Sequence, residues 1–479
     1  MQPFLTTTSR AQSRLAPVVF VALLLVSDLL IWQVSTPRLA WAVFALTLTA
    51  AAQMLVGHSP GRRAVLMGWG GMALGVLPVM EELQTLSVLF LFAAMIHAAG
   101  WFVAGSTAPR AVAIRAGLRL FGQAFIRIAL DLFGFGRATA QVRPSGVGLL
   151  RDWALPLGLG GLFVLLFLSA NPLLDRWLQA LENWSPRLDF DPVHVGFWLV
   201  MACLIWSFLR LDAMRPKLLA PAKPLIAVSL PKALINPGSV LRALVTFNVI
   251  FALQTGLDLT YLWGGADLPD GMSYATYAHR GAYPLVLTAL LAGGFALIAQ
   301  PFVAGRPLLR GLLFIWTLQN VLLVLSSILR LDLYIDAYGL TRLRFAALIW
   351  MGLVVAGLVL MVWQVWRRKT VRWLFARAGL LGLATLYICC FINVAGLIAS
   401  HNLARPDYSF DNYYLCTLGP GAVPAITRAE LATGQDLCDT DYGLFVKSPQ
   451  DLREWGYRNY RLRNSLAALA ALTEVRTVP

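Results

Sequence analysis

Charge is scarce in this chain. Of 479 residues only 13% are Asp, Glu, Lys or Arg, while 58% are hydrophobic. Soluble globular domains carry about 25% charged residues, so composition excludes an ordinary soluble protein and points to a bilayer. Histidine is also sparse, with five in all (His58, His97, His194, His279 and His401), which argues against a multi-histidine metal site. Five cysteines are too few for a disulfide framework, and Cys203, Cys389 and Cys390 lie inside apolar runs where a thiol behaves as a small hydrophobe. Phosphate-binding glycine loops, dinucleotide fingerprints, nucleophile elbows, zincin helices and Cys-x-x-Cys pairs are all missing, so no metal, cofactor or catalytic residue is assigned, and whether the chain is an enzyme stays open.

What is present is long apolar sequence. Runs that can cross about 30 Å of hydrocarbon as helices occur near 16–34, 39–56, 64–80, 86–104, 152–170, 193–211, 240–262, 282–302, 308–329, 345–366 and 373–398. The spacing predicts an all-α, polytopic membrane protein of about eleven spans. The first run is too long for a signal-peptide core and is followed at once by another, so it reads as a span.

The net charge of +15 is distributed unevenly. With the N-terminus inside, the inner loops collect Arg62 and Arg63, the arginines from Arg110 to Arg151, Arg210 to Arg242, Arg306 and Arg310, and Arg367 to Arg377, whereas acids collect outside. This is the positive-inside pattern, which leaves the C-terminus outside and assigns the basic excess to anionic lipid rather than nucleic acid. The expected organisation is four helices over 1–104, an amphipathic segment at the cytoplasmic interface over 105–151, seven helices over 152–398, and a small extracytoplasmic subdomain over 399–479. In the interfacial segment Arg115, Arg119, Gln123 and Arg127 recur every four residues along one flank, and burying such arginines would cost roughly 2.5–3.5 kcal/mol each at mid-bilayer. Gly71 and Gly75, with Gly68 and Gly70 nearby, predict close helix packing in the third span. In the tail, Cys416 and Cys438 are a candidate disulfide; free thiols are the alternative.

Polar chemistry concentrates in the stretch from Asp258 to Leu285. Gln254 lies one turn from Asp258 on the same face, and Asp267, Asp270, Tyr274, Tyr277, His279 and Arg280 follow in a turn-rich loop. These residues are the candidate binding set for a small anionic or lipid-linked ligand, with Arg280 as anion clamp and His279 as proton carrier. Asp28, His97, Asn248 and Gln254 are candidate polar lining, because ionisable and polar groups inside a membrane default to a functional reading. Interfacial anchoring by the tyrosines and loop closure by an Arg280 ion pair are the plainer alternative. A second cluster, Arg330, Asp332, Asp336, Tyr338, Arg342 and Arg344, reads as a solvated ion-pair network or, in a functional version, as an electropositive rim at the start of the tenth span that collects phosphate or carboxylate head groups.

Four patches carry a resemblance: YLWGG with LPDGMSYATYAHRGAYPL at 261–285, DAYGLTRLR at 336–344, ASHNL at 399–403 and DNYYLCTLGPGAVPAI at 411–426. Over roughly 150–479 the chain resembles bacterial integral membrane proteins of the family with domain of unknown function 4173 and its sister 4153. Ser400 and His401 depart from the ARYNL more usual in that family. The resemblance implies a multi-span helical protein of the bacterial inner membrane, and no activity, cofactor or catalytic residue. The functional expectation is a transporter or a protein handling lipid head groups, with its site on the outer side between the seventh and eighth spans. The alternatives are a membrane-embedded transferase acting on an envelope substrate and a non-enzymatic sensor or scaffold. Membrane lipids are the expected partners, and the residues leave the oligomeric state undecided.

Overall fold

A computed structural model describes residues 8–32, 34–122, 191–221, 236–264, 288, 291–303, 305–405, 411–438 and 445–476. Among these, every regular element is a helix, and nine helices are long and apolar enough to cross a membrane. Their outward faces expose large apolar side chains such as Leu25, Leu66, Leu199, Leu253 and Leu383. So much exposed apolar surface is untenable in water and is what a lipid-facing helix presents. The chain is a polytopic all-α membrane protein.

It packs as two compact units, residues 1–222 with 449–457, and residues 223–448 with 458–479. The first unit contains α1 (Thr8–Ser27), α2 (Arg38–Leu55), α3 (Arg62–Glu81), α4 (Thr85–Ala104), α5 (110–122), α6 (Pro192–Leu209) and α7 (Leu211–Leu218). The four-helix part expected over 1–104 is thus joined by α5, α6 and α7. The expected fifth span, 152–170, lies outside the described residues.

The glycine stripe of α3 faces α4. A Cβ on Gly68 would meet the Phe102 ring, one on Gly71 the His97 ring, and one on Gly75 the Ala94 side chain and, at 3.0 Å, the Phe90 carbonyl. The two helices therefore approach to backbone contact, in a membrane where tight packing replaces the hydrophobic effect as the attraction between helices. Gly70, off this stripe, meets nothing. The segment expected at the membrane surface is described over α5. It folds back antiparallel on α4, with Gly100 against the Ala113 backbone and Gly117 against the Ile96 carbonyl. Its Arg119 donates to the carbonyls of Leu218 (3.0 Å), Ala220 and Pro221 (3.2 Å), groups beyond the reach of helical pairing at the end of α7.

The segment 449–457 is held to the rest of the first unit chiefly around Glu454, with Arg453 also donating to the Leu29 carbonyl. Glu454 accepts from the Gln450 N–H (2.9 Å) and the Ser35 hydroxyl (2.8 Å), and Arg38 donates to its carbonyl (3.2 Å) and to Glu82 (3.1 Å). These bonds, the Gln450 N–H foremost, hold the Glu454 carboxyl below its ordinary value of 4.5. A depressed carboxylate contributes stability above the unfolded value and loses it as the pH falls through the folded one. A spin label at exposed Leu452 should therefore gain mobility on acidification below about pH 4.5, and in E454Q its mobility should not change over that range. A wild-type label indifferent to pH would remove Glu454 from this role.

The second unit contains α8 (Pro237–Leu257), α9 (Leu291–Val303), α10 (Pro307–Tyr338), α11 (Arg342–Trp366), α12 (Val371–Cys389), α13 (Val394–Leu403), α14 (Asn412–Cys416), α15 (Val423–Thr433) and α16 (Tyr457–Arg476). Phe247 stacks on Trp316 and Phe295 meets both rings edge to face, at 5.0–5.4 Å between centroids, which fastens α8, α9 and α10 together. Two expectations change here. The ninth run, expected over 308–329, extends to Tyr338; at 32 residues α10 is about 48 Å long and outruns the hydrocarbon. The last run, expected as one span over 373–398, breaks after Cys389. Asn393 caps the next helix by accepting from the Gly396 N–H (3.1 Å) and donates to the Gly421 carbonyl (2.8 Å), so a polar residue within an apolar run starts a new helix.

Candidate functional site

Asp258 ends the α-helical part of α8, and the chain continues as a π turn over Asp258–Trp263. Single π turns widen a helix and recur at functional positions. The Asp258 carboxylate is 2% exposed and pairs with Arg330 of α10, itself 3% exposed; Gln254 donates to the same carboxylate oxygen at 2.9 Å. Next to the pair, the Trp263 indole donates to the hydroxyl of Ser326, one turn before Arg330 in α10, at 3.0 Å. Two opposite charges are thus taken out of solvent near the ends of two spans. Removing either partner would take the opposite charge away from a group buried at this depth, which costs far more than removing both.

Arg330 belongs to a stripe that runs the length of α10. Trp316, Thr317, Asn320, Leu323, Val324, Ser327 and Arg330 are all buried and recur every three or four residues, so they share one face. Thr317, Asn320 and Ser327 each turn a polar group back to the carbonyl four residues earlier, at 2.7–2.9 Å. Asn248 of α8 donates to the Leu312 carbonyl (3.1 Å), and Gln319 donates to the Asn248 carbonyl (3.3 Å). The side-chain oxygens of Asn248, Gln319 and Asn320 are buried without a partner among the described residues. An interface between two apolar helices therefore carries acceptors with unused capacity, leading towards a buried guanidinium and carboxylate.

The sequence expectation placed Asp258 in the site and is extended by this geometry in one respect and corrected in another. Arg330 was expected among solvated ion pairs; instead it is buried on Asp258. The helical spacing of α10, which puts residue 330 on the face of 316, 320, 323 and 327, is the signal that identifies it. Asp267, Asp270, Tyr274, Tyr277, His279 and Arg280 lie outside the described residues. The four expected lining residues are divided between the two units. Asn248 and Gln254 belong to the second unit, while Asp28 and His97 belong to the first. Asp28 opens a second π turn, Asp28–Trp32, and its carboxylate meets His194 and the Trp198 indole (2.9 Å), with Trp32 stacked on His194 at 4.2 Å. His97 packs on Gly71. Sequence reasoning did not connect His194 to Asp28, although His194 and Trp198 stand one turn apart at the start of α6.

Three of the four patches singled out in the sequence converge above the ion pair. Leu340 and Asn402 exchange two bonds, the Leu340 N–H to the Asn402 side-chain oxygen (2.7 Å) and the Asn402 amide to the Leu340 carbonyl (3.0 Å). The Arg342 N–H donates to the Tyr414 hydroxyl (2.8 Å), and its guanidinium donates to the Leu418 carbonyl. Arg344 donates to the Tyr338 (2.8 Å) and Gly339 carbonyls, and Arg405 to those of Ile335 (2.8 Å) and Asp336. Arg344 and Arg405 thus bind carbonyls at the end of α10, where cations also meet the negative end of the helix dipole, and Arg405 lies 3.7 Å from the exposed Asp336 carboxylate as well. Ile335, Leu340, Ile398, Leu415, Leu418 and Ile426 fill the space beneath them. Cys416 and Cys438 are joined in a disulfide, their Cα atoms 5.7 Å apart. His401, on the same short helix as Asn402, is exposed.

No curated protein matches the chain, and no solved structure matches it. A family match does exist, and it is to the sister of the family named first by the resemblance; it begins in α3, well before residue 150, and takes in the Asp258–Arg330 pair and the cluster above it. The chain belongs to the family described as domain of unknown function DUF4153, which it matches over residues 68–429.

Proposed function

We propose that the chain transports, or handles at the membrane, a small molecule or lipid head group bearing an anionic group, and that Asp258 and Arg330 are the centre of that site. The observation that carries this reading is the buried pair at the end of a polar stripe between α8 and α10. Asp258 offsets the charge of the Arg330 guanidinium when no ligand is present. A phosphate or carboxylate competes with Asp258 for the guanidinium, and Asp258 then takes a proton or a cation, so binding is coupled to a second charge. The spare acceptors of Asn248, Gln319 and Asn320 supply hydrogen-bond partners to water or to the polar part of the ligand along the stripe.

The proposed setting is a bacterial cytoplasmic membrane, with the N-terminus inside and the cluster above the ion pair outside. The Lys and Arg distribution supports that orientation, and a disulfide in the tail is what an oxidising compartment favours. The test is lipid and metabolite profiling of a deletion strain beside one carrying Asp258→Asn. The proposal expects the same species to shift in both, a species carrying phosphate or carboxylate. Unchanged profiles in the Asp258→Asn strain at normal protein abundance would reject it.

A further inference from the structure

At the opposite end of α10 from Arg330, some twenty residues and about 30 Å away along the helix, the second unit holds a cavity of 680 Å³. Four basic residues border it: Arg306 and Arg310 at the start of α10, and Arg368 and Lys369 just past the end of α11. None of its described lining residues is acidic, and no carboxylate pairs with any of the four among the described residues. Arg306, Arg368 and Lys369 are exposed and Arg310 is half-buried, so water screens their mutual repulsion, while an anion entering the cavity would meet four cations together. The N-terminus of α10 borders the same cavity and adds the positive end of a long helix dipole.

The basic rim is built rather than incidental. Gln364 is 1% exposed; its carbonyl accepts from the Lys369 N–H (2.9 Å), and its side-chain amide donates to the Lys369 carbonyl (2.7 Å). This double tie closes the turn at the end of α11 and holds Arg368 at a φ of 51°, the one positive φ outside glycine among the described residues. A bulky side chain in that region costs about 1 kcal/mol or more, and such strain persists where the surroundings fix it, commonly at ligand sites. Glycine would be the relaxed choice there, yet the position carries a guanidinium that lines the cavity. Opposite, the side-chain oxygen of Gln300 is buried with no partner among the described residues and calls for a donor.

We propose that this cavity binds the phosphate of an anionic membrane phospholipid whose head group also carries a hydroxyl. Arg306, Arg310, Arg368 and Lys369 take the phosphate, and the Gln300 oxygen accepts from the hydroxyl. A membrane lipid is favoured as the source because the cavity opens where two spanning helices end. Trp363 and Trp366, indoles of the kind that settle at head-group depth, sit in the same last turn of α11 as the lining residues Gln364 and Val365, with Arg367 over their rings at 5.1 and 5.0 Å.

The test uses the full chain reconstituted with equal phosphatidylglycerol and phosphatidylcholine, the retained lipid being counted by native mass spectrometry. Each charge removed should weaken phosphatidylglycerol retention about fivefold, so R310Q/R368Q should lose it roughly 25-fold. A second double variant, R372Q/R377Q, removes two charges at the same end of the molecule outside the cavity and should retain the lipid. Arg368→Gly serves as the folding control: it relieves the positive φ, so it should melt at or above the wild-type temperature while losing about fivefold in retention. Equal loss in both double variants would mean general surface attraction and overturn the proposal, as would undiminished retention in R310Q/R368Q. Stabilisation of the wild type, but not of R310Q/R368Q, by inorganic phosphate with no preference for phosphatidylglycerol would assign the cavity to a soluble anion and overturn the lipid as its source.

Discussion

Arg330→Met is expected to destabilise the protein by about 3–5 kcal/mol, read as a lowered midpoint of chemical unfolding in mixed micelles, and Asp258→Val by a similar amount. Each change takes the opposite charge away from a group at 2–3% exposure, and the neutral Gln254 amide is no substitute for it. The double variant Asp258→Val/Arg330→Met should not add the two losses. With both charges gone the desolvation cost goes as well, and hydrophobic side chains of similar volume fill the space, so its stability should return to that of the wild type or exceed it. The coupling is the diagnostic. Additive losses would mean that the two side chains do not act as one unit.

The reading of Asp258 shows what sequence can and cannot supply here. An acid at the end of an apolar run stands out against 13% charge, and Gln254 one turn away is legible as its neighbour. The partner is not legible from proximity in sequence, because Arg330 lies in LRLDLYIDAYGLTRLR, beside acids that make a solvated network the natural reading. Only the length of α10 and the phase of its buried face separate Arg330, turned inwards, from Asp332 and Asp336 a few residues on. The glycines of α3 were legible for the opposite reason: their spacing marks a face, and no other property of glycine competes with packing in a span. The break in the last run was missed because hydropathy averages over Asn393, whose effect is a local cap rather than a change in mean polarity. Likewise, the convergence of Leu340, Asn402, Tyr414 and Leu418 is long-range and leaves no periodic trace in the chain.

Loss of the Cys416–Cys438 disulfide should be the second large effect. The cysteines are separated by 22 positions, and closing a loop of that size restricts the unfolded chain by about 3 kcal/mol in the chain-entropy treatment. The loss should fall on the cluster above the ion pair, since Cys416 is buried beside Leu415 and Leu418, and the segment leading to Cys438 is otherwise tied by the Glu430 carboxylate accepting from the Leu437 N–H at 3.1 Å. The unfolding midpoint of the wild type should fall on treatment with reductant to near that of Cys416→Ala/Cys438→Ala, and the variant should not respond. A wild type indifferent to reductant, with free thiols by mass, would show that the bond contributes nothing.

The claim that matters most is that the buried pair is kept for what it binds and not for stability, and the Asp258→Val/Arg330→Met protein separates the two. The decisive measurement is whether this double variant, at wild-type abundance in a deletion strain, restores the lipid and metabolite profile. The account predicts a folded protein that restores nothing, because the guanidinium that holds the anion is gone. Full restoration by a chain without either charge would contradict it.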